Sequence, residues 1–333
     1  MQDHYGHRIS YLRVSITDRC NERCSYCMPQ ELQEWLPRHE ILTYEETLRL
    51  IRIAAELGVS KVRITGGEPL TRRGIVDFVT QVPEIPGITS IGLSTNGTLL
   101  AREISPGRRM AEALRDAGVQ SVNISLDTLD GAAYSQITGR DFHAQVIDGI
   151  DAAIAAGFDQ IKLNAVLMRG RNEDQLLPLI EFAAARNLLL RFIELMPVST
   201  TEVLSESNFM SVMEAKRLVE SAYGNLIPET EFRTNGPATY YQIPGRAQRV
   251  GFIGAMTNMH FCENCNKLRL TCDGKLRPCL GSYLEFDVMG PLRAGASNEQ
   301  LKQLFLNVVE RKPREHDFRN NYQPNRKMIA IGG

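Results

Sequence analysis

Three cysteines near the start of the chain, Cys20, Cys24 and Cys27, follow a C-x3-C-x2-C spacing, and four more, Cys262, Cys265, Cys272 and Cys279, gather far downstream. Seven is an odd number, the two windows are short, and the polar start MQDHYGHRIS has no signal-peptide core, so clustered thiols here point to metal rather than to a disulfide framework. A 4Fe-4S cluster takes four thiolates; three close together with no fourth nearby leave one iron open to an exogenous ligand, and an open iron can do chemistry. The competing metal is zinc, whose three-ligand catalytic site usually includes a His or an acidic residue at familiar spacing, which the first triplet lacks.

The downstream group is less uniform. If Lys267 to Thr271 is extended, Cys272 shares a face with Leu268 and Leu270, while Cys265 shares the other with Lys267 and Arg269. That reading makes Cys272 a buried bystander; a four-cysteine zinc ribbon that includes it is the alternative. Asp273-Gly274 suggests a hairpin. A two-residue turn there would place Cys279 on the Leu268 face, so a bulge or the break at Pro278 has to intervene.

The elements that position these groups follow a strand-helix alternation, which signals parallel strands with crossover helices. Six strands are expected, Tyr11 to Thr17, Lys61 to Thr65, Ser90 to Ser94, Ser121 to Ser125, Gln160 to Val166 and Leu189 to Ile193, with amphipathic segments such as Tyr44 to Leu57 between them. Cys20 follows the first strand, on the side where barrel enzymes carry their sites. In several strands one parity is polar and often cationic: Arg13, Ser15 and Thr17; Lys61, Arg63 and Thr65; Asn123 and Ser125; Lys162 and Asn164. A closed barrel would fill its interior with branched apolar side chains, so the expected architecture is an incomplete (β/α)6 TIM-type barrel, open around a large polar, anionic ligand. The alternative, a polar parity facing solvent, conflicts with the usual covering of parallel sheets on both faces.

Regular alternation ends around Val198 to Asn208, which divides the chain into a barrel domain, 1–207, and a smaller α+β domain, 208–333, with helical stretches at Ser211 to Tyr223 and Asn298 to Glu310. The formal net charge of -1 argues against broad attraction to nucleic acid. No apolar run approaches the ~20 residues that span a bilayer, so a cytoplasmic location is expected. The absence of G-x4-G-K-[ST] leaves side-chain capture as the route to any bound nucleotide.

Cys20-Asn-Glu-Arg-Cys24-Ser-Tyr26-Cys27, with an aromatic before its last cysteine, and Gly66-Gly67-Glu68-Pro69 after the second strand resemble the defining motifs of the radical S-adenosylmethionine (SAM) superfamily. Within it, the chain resembles the GTP 3',8-cyclase family over nearly its whole length. The matching segments are Leu12 to Cys20, Arg63 to Glu68, Val122 to Asp127, Arg191 to Met196, the C-x2-C-x13-C spacing of Cys262, Cys265 and Cys279, and the final Gly332-Gly333. The resemblance implies two 4Fe-4S clusters, one on Cys20, Cys24 and Cys27 and one on Cys262, Cys265 and Cys279, each with an open iron. It implies SAM contacts at Tyr26, Gly67, Ser125 and Met196, with the GGEP motif near the methionine amino group. It also implies GTP contacts at Arg13, Arg63, Ser94, Lys162, Arg191, Lys267 and Arg269; Lys267 stands where the family often has Arg. The implied reaction starts molybdenum-cofactor biosynthesis. A 5'-deoxyadenosyl radical removes the ribose 3' hydrogen of GTP, and the product is (8S)-3',8-cyclo-7,8-dihydroguanosine 5'-triphosphate. The implied partners are GTP, an electron donor and a downstream cyclic pyranopterin monophosphate synthase, without nucleic acid or membrane; a homodimer is left open. The terminal double glycine would reach into the active site. The competing readings are a peptide-modifying radical SAM enzyme, against which the cations on several strands count, and a cluster carrier or zinc-ribbon binding module, against which the barrel pattern and GGEP count.

Overall fold

A computed structural model describes residues 1–28, 34–198, 204, 205, 207–320 and 322–332. Most of the expected junction, residues 199–203 and 206, and the terminal Gly333 lie outside the described residues. The first half carries β1 (Tyr11–Ser15), β2 (Lys61–Thr65), β3 (Ser90–Thr95), a small separate hairpin of β4 (Glu103–Ser105) and β5 (Arg108–Arg109), then β6 (Ser121–Ser125), β7 (Gln160–Leu167) and β8 (Leu189–Glu194). The second half adds β9 (Ile227–Pro228), β10 (Thr239–Gln242), β11 (Arg249–Ile253), β12 (Lys267–Leu270), β13 (Lys275–Arg277) and β14 (Phe286–Asp287).

All but β4 and β5 join one open sheet in the order β14-β13-β12-β1-β2-β3-β6-β7-β8-β11-β10-β9. The six expected strands are therefore flanked on both sides. β12 runs parallel to β1 and β11 parallel to β8, so eight parallel strands line the sheet, and antiparallel strands extend each end. The first strand ends at Ser15, two residues earlier than its alternation suggests, because Thr17 and its neighbours turn to meet the Gly66-Gly67 loop.

Strand parity separates the two faces. Leu12, Val14, Val62, Ile64, Val122, Ile124 and Leu163 are at most 1% exposed and face the helices, where burial of branched side chains drives packing. The first of these helices, Tyr44–Glu56, begins at a reciprocal cap. The Thr43 hydroxyl accepts from the Glu46 N–H at 3.2 Å, and the Glu46 carboxylate accepts from the Thr43 N–H at 2.8 Å. Its Leu48, Leu50, Ile51, Ile53 and Ala54 are buried against the sheet.

The opposite parity turns inward, and its bulk is accommodated by glycine on the neighbouring strand. A Cβ on Gly92 would lie 2.4 Å from the Arg63 guanidinium, and one on Gly251 would lie 2.8 Å from the Tyr240 ring and 3.0 Å from Arg191 Cγ. Each notch lets an arginine lie across the adjacent strand. Arg63 uses the space to donate to Tyr11 Oη at 2.5 Å, to the Leu93 carbonyl at 2.7 Å and to Ser121 Oγ at 2.9 Å.

The expected hairpin at Asp273-Gly274 forms, with a different loop. Thr271 N–H donates to the Lys275 carbonyl, and Arg269 pairs with Arg277, which leaves a three-residue loop, Cys272 to Gly274. Gly274 takes φ +69°, the left-handed position that such loops reserve for glycine. The extra loop residue shifts the pairing by one and turns Cys279 to the face of Lys267, resolving the parity conflict.

Gly92→Ala should displace Arg63 and cost about 1–3 kcal/mol of stability, the usual range for overpacking. Denaturant titration checks this; an unchanged midpoint would mean that the guanidinium moves at no cost.

Candidate active site

The inward parity lines a cavity of about 830 Å³, toward the upper end for small-molecule sites. The cluster ligands and the SAM and GTP contacts implied by the resemblance all line it: Cys20, Cys24, Cys27, Cys262, Cys265 and Cys279; Tyr26, Gly67, Ser125 and Met196; Arg13, Arg63, Ser94, Lys162, Arg191, Lys267 and Arg269. Cys272 does not line it and is fully buried elsewhere, its carbonyl accepting from the Leu42 N–H.

Strand direction orders the contents. Cys20 to Cys27, Glu68, Asp127 and Glu194 lie at or beyond the C-terminal ends of the parallel strands. Cys262 and Cys265 precede β12, and Cys279 follows the antiparallel β13, which places this triplet at the opposite end. At about 3.3 Å per residue, the strands between them hold the triplets roughly 15–20 Å apart. Between them the cations form neighbouring rows: Arg269, Arg13 and Arg63 pair across β12, β1 and β2, while Asn123 pairs with Lys162 and Asn164 with Arg191.

The first triplet sits among acids. The Tyr134 hydroxyl donates to Glu22, whose carboxylate also accepts from Cys24 Sγ at 3.7 Å. Tyr26 Oη donates to Asp127 at 2.9 Å, and Asp127 also accepts from the Val166 N–H. Glu68 accepts from Thr95 Oγ1, Asn96 N–H and Leu70 N–H, tying the GGEP loop to the end of β3. Burial pushes Glu22 and Glu68 up to about 7 and Asp127 to about 6. Burial also raises the three thiols, Cys27 to about 12, and the nearby carboxyl groups add to the effect. Three soft donors in one buried loop, close enough to disfavour one another's ionisation, suit a cluster whose irons neutralise the thiolates. Among the described residues no three His, Cys, Asp or Glu are drawn together tightly enough for a single ion.

The glycines of GGEP pack directly on the first cysteine loop. Gly67 N–H donates to the Thr17 carbonyl at 2.7 Å, and a Cβ there would lie 2.4 Å from the Arg19 carbonyl. No side chain fits between the two loops.

The second triplet sits among cations. Burial pushes Cys279 up to about 11 and raises Cys262, whereas at Cys265 the ammonium groups of Lys312 and Lys267 outweigh burial. Cys265 is the only one of the seven thiols held below its ordinary value. The donor set again fits a three-thiolate cluster.

Like charges crowd the middle of the cavity. Arg191 donates to Asn164 Oδ1 at 2.9 Å, and Arg269 donates to the carbonyl of Gly332. Gly332 also packs against Ser15 and Thr65, so the chain end enters the lumen; Gly333, the other half of the expected double glycine, lies outside the described residues. Lys162 is 2% exposed and makes no hydrogen bond or ion pair among the described residues, while its register neighbour Asn123 keeps a buried, unpartnered Oδ1. Burial, with Arg191 and Arg63 beside it, pushes Lys162 down to about 6.

Sequence reasoning assigned no role to Glu22, Asp127, Glu194 or Lys312. Glu194 is fully buried and accepts from Val212, Met256 and Thr257 N–H, fastening the second half of the chain to β8. The available signal was an acid recurring at or just past the C-terminal end of alternate strands of the sheet, β2, β6 and β8, at Glu68, Asp127 and Glu194.

Comparison with known proteins matches residues 14–183 to the Radical SAM superfamily and residues 188–318 to Molybdenum Cofactor Synthesis C. A GTP 3',8-cyclase of Pelotomaculum thermopropionicum is 43% identical over 333 residues, and one of Moorella thermoacetica 44%, with the full length of both chains covered in each case. Among solved structures, Streptococcus suis SuiB bound to precursor peptide SuiA is similar with a TM-score of 0.62 at 18% identity, over 98% of this chain and 70% of that one. Native anSMEcpe with bound AdoMet is similar with a TM-score of 0.59 at 13% identity, over 92% and 82%. At such identity the structural likeness concerns the fold alone.

With its pKa lowered from 10.5 to about 6, folded Lys162 lacks a proton that the unfolded chain holds between those values. Ligand-free stability should therefore rise with pH through that window. Lys162→Met should flatten the slope and raise the melting temperature near pH 7, while weakening triphosphate binding at least about tenfold, a loss of ~1.4 kcal/mol. Calorimetry at several pH values checks both effects; a slope unchanged in the variant would assign it to another group.

Proposed function

The chain belongs to the GTP 3',8-cyclase family of radical SAM enzymes, and from that membership we propose how its own residues divide the work. The enzyme converts GTP to (8S)-3',8-cyclo-7,8-dihydroguanosine 5'-triphosphate, the first step of molybdenum-cofactor biosynthesis, with SAM and two 4Fe-4S clusters as cofactors. The observation that supports this division is a single cavity with a thiol triplet at each end and a field of cations between them.

Cys20, Cys24 and Cys27 hold the first cluster, and Cys262, Cys265 and Cys279 the second. When bound, the first cluster and SAM supply a 5'-deoxyadenosyl radical that removes the ribose 3' hydrogen of GTP. Tyr26, Gly67, Ser125 and Met196 hold SAM. The Gly67 amide is committed to Thr17, so its carbonyl is the group that accepts from the methionine ammonium. The Asp127 carboxylate fixes the Tyr26 ring by its phenol.

Arg13, Arg63, Ser94, Lys162, Arg191, Lys267 and Arg269 bind GTP. Arg63 acts chiefly by its charge, since each of its nitrogens already donates one N–H to a protein acceptor, leaving two of its five N–H groups. Burial, with Arg191 and Arg63 beside it, disfavours the charged form of Lys162, and an entering triphosphate would favour it. A polyanion relieves repulsion that the empty lumen cannot, and Arg forks suit its oxygens. Gly332, drawn in by Arg269, helps exclude water.

The halves 1–207 and 208–333 act as two functional modules on one shared sheet. The reaction requires an electron donor and a synthase that carries the cyclised nucleotide on to cyclic pyranopterin monophosphate. Among the described residues no helix is long and apolar enough to cross a membrane, and we place the enzyme in the cytoplasm.

Anaerobic incubation of the iron-reconstituted protein with SAM, dithionite and GTP should give 5'-deoxyadenosine and cyclised nucleotide together, read by mass spectrometry. Formation of 5'-deoxyadenosine with intact GTP would refute the substrate assignment. Cys24→Ala should abolish SAM cleavage; Cys265→Ala should retain cleavage and lose the cyclised product, and equal loss of both in folded protein would overturn the division of labour. Cys272→Ser should keep wild-type iron content and activity, and loss of the second cluster would make Cys272 a ligand.

A further inference from the structure

Lys312 belongs to neither the SAM nor the GTP set. It follows the helix Asn298–Glu310, and it is 4% exposed. No carboxylate among the described residues forms an ion pair with it. Its ammonium donates to the Lys267 carbonyl at 3.1 Å and to the Pro278 carbonyl. These two carbonyls stand two residues after Cys265 and directly before Cys279, so Nζ is stitched between the segments that carry two of the second triplet's thiols.

Burying an ammonium is costly unless an opposite charge meets it, and two carbonyl dipoles are not a counter-charge. The groups that can become negative around Lys312 are the thiols: Cys262, Cys265 and Cys279 all feel its charge. Four residues on, the His316 N–H donates to Cys262, so the segment from Lys312 to His316 runs along the triplet as a strap. The first triplet has Glu22, Glu68 and Asp127 around it instead.

We infer that Lys312 is a positioning residue for the second cluster, its fixed charge favouring the reduced form by stabilising the negative charge that one added electron brings to a three-thiolate cluster. Net charge and hydrogen bonds at the sulfurs are the protein's means of setting such potentials. The inference rests on the reading that Cys262, Cys265 and Cys279 hold a cluster.

The test is a potentiometric titration of the reconstituted full-length chain followed by electron paramagnetic resonance, with Cys24→Ala used to assign the second transition. In Lys312→Met of wild-type iron content, the reduced-to-oxidised ratio of the second cluster at a fixed potential should fall at least about tenfold, a shift of about 59 mV for one electron. The first transition should stay in place, and Lys312→Arg should keep the wild-type value. An unchanged second midpoint in loaded Lys312→Met overturns the inference. If that variant does not load, Lys312→Gln, which keeps a donor and loses the charge, is titrated with the same expectation and the same overturning result. Cluster loss from both neutral variants with retention in Lys312→Arg supports a requirement for charge, and loss from all three overturns it. A wild-type chain without a second transition would refute the cluster reading itself.

Discussion

The repulsion among cations gathered inside one lumen is the constraint on which the remaining structure depends. Arg63, Lys162, Arg191 and Arg269 are nearly buried and make no ion pair among the described residues. Burial and mutual proximity lower Lys162, Arg191 and Arg269 together. Such an arrangement is destabilising in itself, and it persists because the opposite parity of the same strands is almost entirely apolar and buried, with Glu194 at the end of β8 the charged exception. The glycine notches at Gly92 and Gly251 belong to the same solution: they let guanidinium groups lie flat and find neutral acceptors instead of one another.

The lumen is also polarised along its length. Acids and thiols whose charged forms burial disfavours occupy one end, and cations with one acidified thiol occupy the other. This polarity follows from chain direction. The lumen-facing cations of β1, β2, β7, β8 and β12 lie within the strands, the acids stand at or beyond the C-terminal ends of β2, β6 and β8, and β12 enters the sheet in the same sense as β1. A ligand with an anionic tail and a reactive sugar is thereby offered a preferred orientation before any individual contact forms.

Much of this was legible in the residues, for identifiable reasons. Strand parity is a local property, and the alternation of Arg13, Ser15 and Leu12, Val14 or of Lys162, Asn164 and Ile161, Leu163 already separated lumen from core. The cysteine spacings were equally local. What remained hidden depended on distant pairing. Nothing near Arg249–Ile253 or Lys267–Leu270 says that these strands pair with β8 and β1 and bring the parallel count to eight. The three-residue loop at Cys272–Gly274 was hidden for a smaller reason: Asp-Gly suits a two-residue turn as well, and only the pairing of Arg269 with Arg277 decides. Lys312 was invisible because one lysine after a helix looks like any solvated charge until its carbonyl partners are known.

The pairing of β1 with β12 has a consequence for how the molecule comes into being. Ser10 and Asn266, which close that edge, are 256 residues apart in sequence. During synthesis from the N-terminus, β1 keeps one side of its hydrogen-bonding groups unmet until most of the polypeptide has been made. Contacts of such span form late and slowly, and an open strand edge invites the wrong partner in the meantime. The last strands to emerge thus act as a clasp for the first, and the nascent chain spends most of its synthesis with its sheet unfinished at both margins.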